Sequence, residues 1–350
     1  MRTQRGQWIP VTICLLLTLI GLSLFGVPAV RAAQFQIRLG HADPPDVYTS
    51  RKAASSTVFK QIVESETGGA VTVSLFPAGQ LGGEAALAEA TKQGTVQVAM
   101  LSGPYSNFCK EVQVFDIPYL FPSYVVAWQV LSGPFGKELA AECLKKTGMR
   151  TLTYGQVGFR NFTNSARPIK SPADLKGMKV RVMESPVYMS LIRSLGGSPT
   201  PVPWPETYTA LQQKVVDGQE NPVSSIKFAK LYEVQKHLTL DGHTYGVSFM
   251  LMNEKFFQGL PKEYQAVVMN AAMTAYTVEN GVDTLDSSVG IQFLKDHGME
   301  VYAPTPAEKA AFKAAAQPAI IEYLDKQLGG HTWIDKVLAA VKEAEATVAK

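Results

Sequence analysis

Hydrophobic and polar positions near the start of the chain follow two different periods, and each period predicts its own element. Alternation of apolar and polar side chains is typical of strands, and apolar positions three and four apart are typical of helices. The pattern predicts strands at 35–40, 71–76 and 96–101, and helices at 47–67 and 84–93. This β-α-β-α-β order predicts a mostly parallel sheet covered by helices.

A similar order recurs farther along the chain and predicts a second unit of the same class. Ser185 followed by Pro186 supplies a helix cap and a first-turn proline. Strands are predicted at 151–154, 178–182, 200–202 and 238–240, and further helices after Pro186 and at 205–215. We therefore expect an α/β protein with two lobes.

The segment Pro261–His297 keeps apolar residues at helical spacing throughout, from Tyr264 to Phe293. A helix of this length would reach about 55 Å, whereas one lobe is only about 30 Å across. Unless Gly281 or Gly290 breaks it, the helix must lie along both lobes. Two lobes tied in this way suggest a hinged clamp with a cleft between them. A new helix is predicted from Thr305, which is followed by Pro306 and Glu308.

The first 32 residues have the order of a secretory signal. Arg2 and Arg5 precede an uncharged stretch at 8–30, and Val30-Arg31-Ala32 offers small residues at a cleavage site. We expect cleavage after residue 32 and export from the cytoplasm. An uncleaved membrane anchor is the alternative, since the uncharged stretch is long enough to span a bilayer.

Composition excludes some partners once this segment is set aside. The chain has 33 Lys and Arg against 30 Asp and Glu, and residues 1–32 hold three arginines and no acid. The remainder is balanced, which excludes a basic nucleic-acid-binding protein. Cys109 and Cys143 are the only cysteines after residue 32. An oxidising compartment permits a disulfide between them, but two free thiols remain an equal alternative.

Motifs for catalysis are missing from the sequence. It has no G-x-S-x-G, H-E-x-x-H, P-loop or G-x-G-x-x-G pattern, so we predict no catalytic residue, cofactor or metal site. Arg160, Arg181 and Asn221 instead stand out as polar residues in apolar or tightly turned settings. A partly desolvated guanidinium needs a partner, and its planar fork fits a carboxylate. The alternatives are a half-exposed strand face for Arg181 and a helix cap for Asn221.

Several motifs in a characteristic order carry a family resemblance. They are LGH at 39–41, FPAGQLG at 76–82, VFDIPYLF at 114–121, GFR at 158–160, DLKGMKVR at 174–181, YTALQQKVVDGQENP at 208–222 and YEVQK at 232–236. The chain resembles the DctP-type solute-binding proteins of tripartite ATP-independent periplasmic (TRAP) transporters. The resemblance covers nearly the whole chain after the signal segment.

This resemblance implies a periplasmic clamp of the type II-like binding-protein class, with a long helix spanning both lobes. It implies a monomeric receptor that binds a small organic acid and passes it to a TRAP membrane permease, without a cofactor. A sensory input protein and, less favoured, a secreted hydrolase are the alternatives. The expected parts are a signal peptide at 1–32, lobe I at 33–157 plus 247–285, and lobe II at 158–246 plus 286–350.

The resemblance also implies a set of ligand-binding residues. Arg181 corresponds to the arginine that clamps the ligand carboxylate, Arg160 to a second cationic contact, and Asn221 to an amide donor. The remaining expected site residues are Trp204 as a pocket wall, Ser102 as a polar contact, and Glu84 and His41 near the cleft mouth.

Two departures from the family pattern concern the pocket and its surroundings. Lys214 stands where the family has glycine, and Trp204-Pro205 replaces Phe-Ser. The second departure leaves the ligand open among dicarboxylates, 2-oxo acids, sugar acids and aromatic acids. It also remains open whether a metal ion bridges the ligand.

Overall fold

The computed structural model describes residues 33–349, so the predicted signal peptide at 1–32 lies outside the described part of the chain. The strands in this part form a single mixed sheet, in the order β2-β1-β3-β8-β4-β7-β5-β6, with β9 paired to β8. They are β1 (Phe35–His41), β2 (Val71–Phe76), β3 (Val98–Leu101), β4 (Met149–Asn164), β5 (Lys179–Val182), β6 (Ser198–Pro201), β7 (Gly218–Asn221), β8 (His237–Asn253) and β9 (Glu300–Tyr302).

Helices cover the sheet and form the C-terminal part of the described chain. They are α1 (Arg51–Glu66), α2 (Glu84–Gln93), α3 (Tyr124–Ser132), α4 (Pro134–Thr147), α5 (Pro186–Ser194), α6 (Thr207–Gln212), α7 (Val223–Phe228), α8 (Glu254–Gly259), α9 (Lys262–Asp296), α10 (Pro306–Leu328) and α11 (Thr332–Val348). None of the helices within residues 33–349 has both the length and the apolarity to cross a membrane.

Two long strands join two parallel α/β units into the predicted two-lobed α/β fold. Strands β1, β2 and β3 are parallel to one another, and so are β5, β6 and β7. Between these groups, β4 and β8 pair with each other in antiparallel fashion over most of their length. The sequence predicted only 151–154 and 238–240 of these strands. The prediction was too short because strands buried on both faces lose the alternation that marks a half-exposed strand.

Local signals explain where the helices begin and end, including two places that differ from the prediction. Ser50 caps α1 by accepting a hydrogen bond from the Ala53 N–H, so this helix begins four residues later than predicted. Thr305 and Glu308 form the predicted capping box at the start of α10. Helix α6 is shorter than predicted because Lys214 adopts a left-handed backbone with φ of +57° two residues after the helix ends. Glycine adopts a left-handed backbone most easily, which explains why the family has glycine where this chain has Lys214.

The long helix predicted at 261–297 is confirmed as α9, which neither Gly281 nor Gly290 interrupts. It packs against α1 on one side of the molecule and against α7 on the other. A Cβ at Gly290 would lie 2.6 Å from Val223 Cγ1, so glycine permits this close approach. The predicted apolar face is wrong in the second half of the helix. Leu285 and Val289 are exposed, and Glu279, Asp283 and Asp286 are buried instead.

Cys109 and Cys143 form a disulfide, with their Cα atoms 5.5 Å apart. Both residues are buried in an apolar cluster that α3, α4, α10 and α11 share with the sheet. The bond ties the segment before residue 110 to α4. Of the two alternatives that the sequence left open, the structure has the disulfide.

Replacing Cys109 and Cys143 together by alanine is expected to lower the free energy of unfolding by about 3–4 kcal/mol. The bridge spans 34 positions of sequence, and breaking it frees a loop of that length in the unfolded chain. Urea unfolding with and without a reductant measures the effect. Reductant should destabilise the natural protein and leave the double variant unchanged. Equal unfolding midpoints for the oxidised protein and the variant would contradict this account.

Candidate functional site

A cleft with an empty volume of about 450 Å³ lies between the two parallel units of the sheet. Six of the seven residues predicted from the sequence line it, and the seventh, His41, does not. The six are Arg181, Arg160, Asn221, Trp204, Ser102 and Glu84.

Arg181 lies on β5 with 1 % of its surface exposed. Its Nε and Nη2 atoms donate to the Val202 carbonyl at 2.9 and 2.6 Å, and its Cζ lies 5.6 Å from the Trp204 ring centroid. In the described part of the chain no carboxylate lies within 4 Å of it, and burial lowers the pKa of the guanidinium to about 10. The alternative interpretation, that Arg181 lies on a half-exposed strand face, is therefore wrong, although Lys179 on the same face is exposed.

Arg160 on β4 is held by a carboxylate of the protein itself. Its Nη2 donates to Glu220 Oε1 at 2.8 Å and to the Glu220 carbonyl at 2.7 Å, and its Nε also donates to the carboxylate. Glu220 also lies 3.3 Å from His243 Nε2, and His243 Nδ1 lies 2.8 Å from Asp241. The charge of Arg160 is therefore balanced inside the protein.

The buried imidazole of His243 is part of this balance. Burial alone would lower the pKa of His243, but Asp241 and Glu220 raise it to about 9, so the ring is charged at neutral pH. Sequence reasoning missed Glu220, His243 and Asp241. Nothing in a local pattern indicates that β7 and β8 bring these side chains to the same arginine.

Glu84 organises the opposite wall of the cleft from the first residue of α2. Its Oε1 accepts from Lys52 Nζ at 2.7 Å, and its Oε2 accepts from the Ser102 N–H and hydroxyl at 2.8 and 2.6 Å. This carboxylate therefore connects α1 with the segment that follows β3. Lys52 was missed because a lysine on a helix is ordinarily solvated, and only the tertiary structure buries it.

Asn221 ends β7 and donates through Nδ2 to Gln219 Oε1 at 2.5 Å. Helix α7 begins at Val223 with Pro222 as its cap residue, so the helix-cap alternative for Asn221 is wrong. Trp204 packs edge-on against Phe228, with ring centroids 6.1 Å apart. The Trp204 ring thus lies close to both Phe228 and the Arg181 guanidinium.

Arg51, at the start of α1, was not predicted and reaches across the cleft. Its Nη1 donates to Ser225 Oγ at 3.1 Å, and its guanidinium lies 3.6 Å from Asp43 and 3.7 Å from Asp283. It therefore connects the unit that holds α1 with the unit that holds α7. Among residues 33–349, no group of three or more His, Cys, Asp or Glu side chains is arranged to hold a metal ion.

His41 is buried at the end of β1, behind the cleft wall, and its Nδ1 has no hydrogen-bond partner among the described residues. Burial lowers the pKa of His41 to about 4, more than the nearby Asp43 raises it. The imidazole is therefore neutral in the folded protein at neutral pH.

Acidification is expected to weaken the fold through His41. A pKa lowered from 6.5 to about 4 means that the unfolded chain binds the proton first, so stability falls between these two pH values. The full contribution is about 3 kcal/mol. Asp116 and Glu279, whose pKa values burial raises to about 7, act in the opposite direction. The measured quantity is therefore the difference in unfolding free energy between the natural protein and His41→Gln from pH 7 to 4. A constant difference would contradict the prediction.

Two α/β units, a cleft lined with buried charges and a helix laid along both units define a two-lobed solute-binding protein. The family of bacterial extracellular solute-binding proteins, family 7 (DctP), matches residues 40–327, and this chain belongs to it. The resemblance predicted from the motifs is thereby confirmed. Members of this family are binding proteins rather than enzymes, and the hydrolase and sensory alternatives are not favoured.

Individual relatives agree with this assignment. A solute-binding protein of Verminephrobacter eiseniae is 38 % identical over 302 residues, covering 86 % of this chain and 88 % of the relative. The C4-dicarboxylate-binding periplasmic protein DctP of Rhodobacter capsulatus is 32 % identical over 334 residues, covering 94 % and 96 %. The sugar acid binding protein DctPAm of Advenella mimigardefordensis, solved with galactonate, superimposes with a TM-score of 0.84 at 34 % identity, covering 88 % and 98 %.

Proposed function

We propose that this protein is exported by a cleaved signal peptide at 1–32, captures a small organic acid in the periplasm and delivers it to a TRAP membrane permease. Family membership and the periplasmic relative from Rhodobacter capsulatus support the compartment and the transport role. The basic start, uncharged stretch and small-residue site of the first 32 residues support export.

The observation that carries the proposal is that the buried Arg181 has no carboxylate partner among the described residues. This residue is a buried guanidinium that lines the cleft and, among the described residues, has a backbone carbonyl and an aromatic ring but no carboxylate as partners. A buried cation without a counter-ion is unfavourable by several kcal/mol. A ligand carboxylate supplies that counter-ion and accepts from the guanidinium with good geometry.

Binding and closure are linked because the two walls of the cleft belong to different lobes. One wall is formed by Arg160, Arg181, Trp204 and Asn221. The other wall is formed by Glu84 with its partners Lys52 and Ser102. A ligand that contacts both walls binds the closed form more tightly than the open form and so shifts the population towards it.

We propose that the lobes divide where Gly158 on β4 pairs with Gly246 on β8. This places lobe I at 33–157 plus 247–285 and lobe II at 158–246 plus 286–350. The register of the two strands shifts between Gln156 and Gly158, and Gly158 has a φ of +104°. A left-handed glycine at a break in a strand pair is a local weak point, which suits a hinge.

A melting-temperature screen tests the proposal. The panel contains four-carbon dicarboxylates, 2-oxo acids, sugar acids and aromatic acids. A ligand present at 100 times its Kd stabilises the protein by about 2.7 kcal/mol, which is readily detected as a shift in Tm. Uptake of that ligand by cells that express a TRAP permease, with and without this protein, tests delivery. A screen in which no organic acid shifts the Tm would overturn the proposal.

A further inference from the structure

The cations that line the cleft are paired, with one exception. Within the described residues the lining cations are Arg51, Lys52, Arg160 and Arg181. Arg51 lies near two carboxylates, Lys52 is bound by Glu84 and Arg160 is bound by Glu220. Arg181 alone among these four lacks a carboxylate within 4 Å. Among these four cations, Arg181 is therefore the one whose charge is available to a ligand carboxylate.

Arg160 does not supply a place for a second carboxylate. Its Nε and Nη2 atoms donate to the Glu220 carboxylate, and this ion pair neutralises the guanidinium, whereas the same two atoms of Arg181 donate to an uncharged carbonyl. A second ligand carboxylate at Arg160 would meet the Glu220 carboxylate and would lack a balancing cation.

The rest of the lining offers both hydrogen-bond acceptors and a donor, Arg51 Nε, which has no partner among the described residues. Asp43 is 3 % exposed, and its Oδ2 lies 3.6 Å from Arg51 Nη2 but accepts no hydrogen bond from any described residue. Asn221 donates through its amide nitrogen, and its Oδ1 remains available as an acceptor. A carboxylate has only acceptor atoms at neutral pH, whereas a hydroxyl group also donates. These positions therefore suit ligand hydroxyls.

Glu184 adds a further negative charge to the rim of this site. It lies three residues after Arg181, lines the cleft and is half-buried. Its backbone carbonyl accepts from Asn107, but its carboxylate makes no hydrogen bond to any described residue. This free carboxylate attracts a hydroxyl donor and repels a second ligand carboxylate.

We infer that the site takes a monocarboxylate bearing several hydroxyl groups, of the aldonic-acid class, and that Glu184 selects it against dicarboxylates. This inference rests on the proposed binding of a carboxylate at Arg181. It distinguishes these acids from the dicarboxylates, which are among the ligand classes that the sequence left open.

Matched pairs of acids test this inference by isothermal titration calorimetry on the purified protein. Galactonate is compared with galactarate, and erythronate with meso-tartrate, because the members of each pair differ only in a terminal hydroxymethyl or carboxylate group. Hexanoate and butyrate serve as acids without hydroxyls. If the melting screen identifies another acid, its own monocarboxylate and dicarboxylate forms are compared by the same criteria.

We expect the hydroxylated monocarboxylate to bind at least about tenfold more tightly than its dicarboxylate partner and than the unhydroxylated acid. In Glu184→Gln this ratio should fall to within about threefold. Glu66→Gln, an exposed residue at the end of α1, makes the same charge change outside the cleft and should keep the ratio. The unchanged Tm of both variants shows that they fold.

Each contrary outcome identifies what has failed. Equal or tighter binding of a dicarboxylate, lost in Arg181→Lys, overturns the inference and leaves the proposed function standing. Equal binding of the unhydroxylated acid overturns the role of the hydroxyls. An unchanged ratio in Glu184→Gln overturns the role of Glu184. Failure of every carboxylate to bind overturns the proposed function and the inference together.

Discussion

Replacing Arg181 with lysine should weaken binding of the organic acid by about 100-fold, which corresponds to about 2.7 kcal/mol. Lysine keeps the positive charge but loses the planar fork, and its shorter reach leaves the ligand carboxylate with one donor in place of two. The substitution also removes the hydrogen bond from the guanidinium to the Val202 carbonyl and the packing of the guanidinium on the Trp204 ring. Calorimetric titration with the ligand found by the melting screen measures the change.

The matched control for this variant is Arg193→Lys. Arg193 is exposed on α5, so the same substitution there should leave the affinity within about twofold. The stability of the ligand-free protein provides a second readout. Lysine keeps a buried cation but loses the hydrogen bonds to the Val202 carbonyl, so a decrease in the ligand-free Tm is expected and is measured separately from the change in affinity. Unchanged affinity in Arg181→Lys would contradict the assignment of Arg181 as the carboxylate-binding residue.

Replacing Glu220 with glutamine is expected to lower the free energy of unfolding by about 3–5 kcal/mol. The change removes the counter-ion of Arg160 and one of the two acids that face the charged His243. Both cations are fully buried, so water cannot replace the lost partner. Urea unfolding at neutral pH measures the loss.

A second substitution separates loss of charge from loss of packing. In the Glu220→Gln background, Arg160→Met removes the unpaired guanidinium, and part of the lost stability should return. Glu66→Gln, which removes an exposed charge, should change stability by no more than about 0.5 kcal/mol. A loss below about 1 kcal/mol in Glu220→Gln would show that Glu220 is not the required counter-ion of Arg160.

Most of the local elements follow from the sequence. The strands at 35–40 and 71–76 and the helix at 84–93 agree with the structure to within one residue, because alternation, helical spacing and terminal glycines are local signals. The length of α9 was also predicted, since a helix longer than one lobe must run beside both. The buried face of α9 was not predicted. A hydrophobic pattern assigns Glu279 and Asp283 to the exposed face, and only the packing of neighbouring elements buries them.

The candidate site was also predicted only in part. Arg181 and Asn221 stand out in the sequence because they are polar residues in apolar or turning segments, and the family motifs give them a role. Their partners are remote in sequence. Arg160 and Glu220 are sixty positions apart, and Lys52 and Glu84 are thirty-two apart. No local pattern determines which charge neutralises which.

The sequence by itself determined the fold class, the family, the long helix and most of the candidate binding residues, because these depend on residue type and spacing along the chain. Only the tertiary structure decided that β4 and β8 run through both lobes, that Cys109 pairs with Cys143, and that Arg160 is neutralised while Arg181 is not. The physical reason is that pairing, burial and charge balance depend on distances in space. Those distances are set by the packing of the whole chain, and they determine which of the two arginines is available to a ligand.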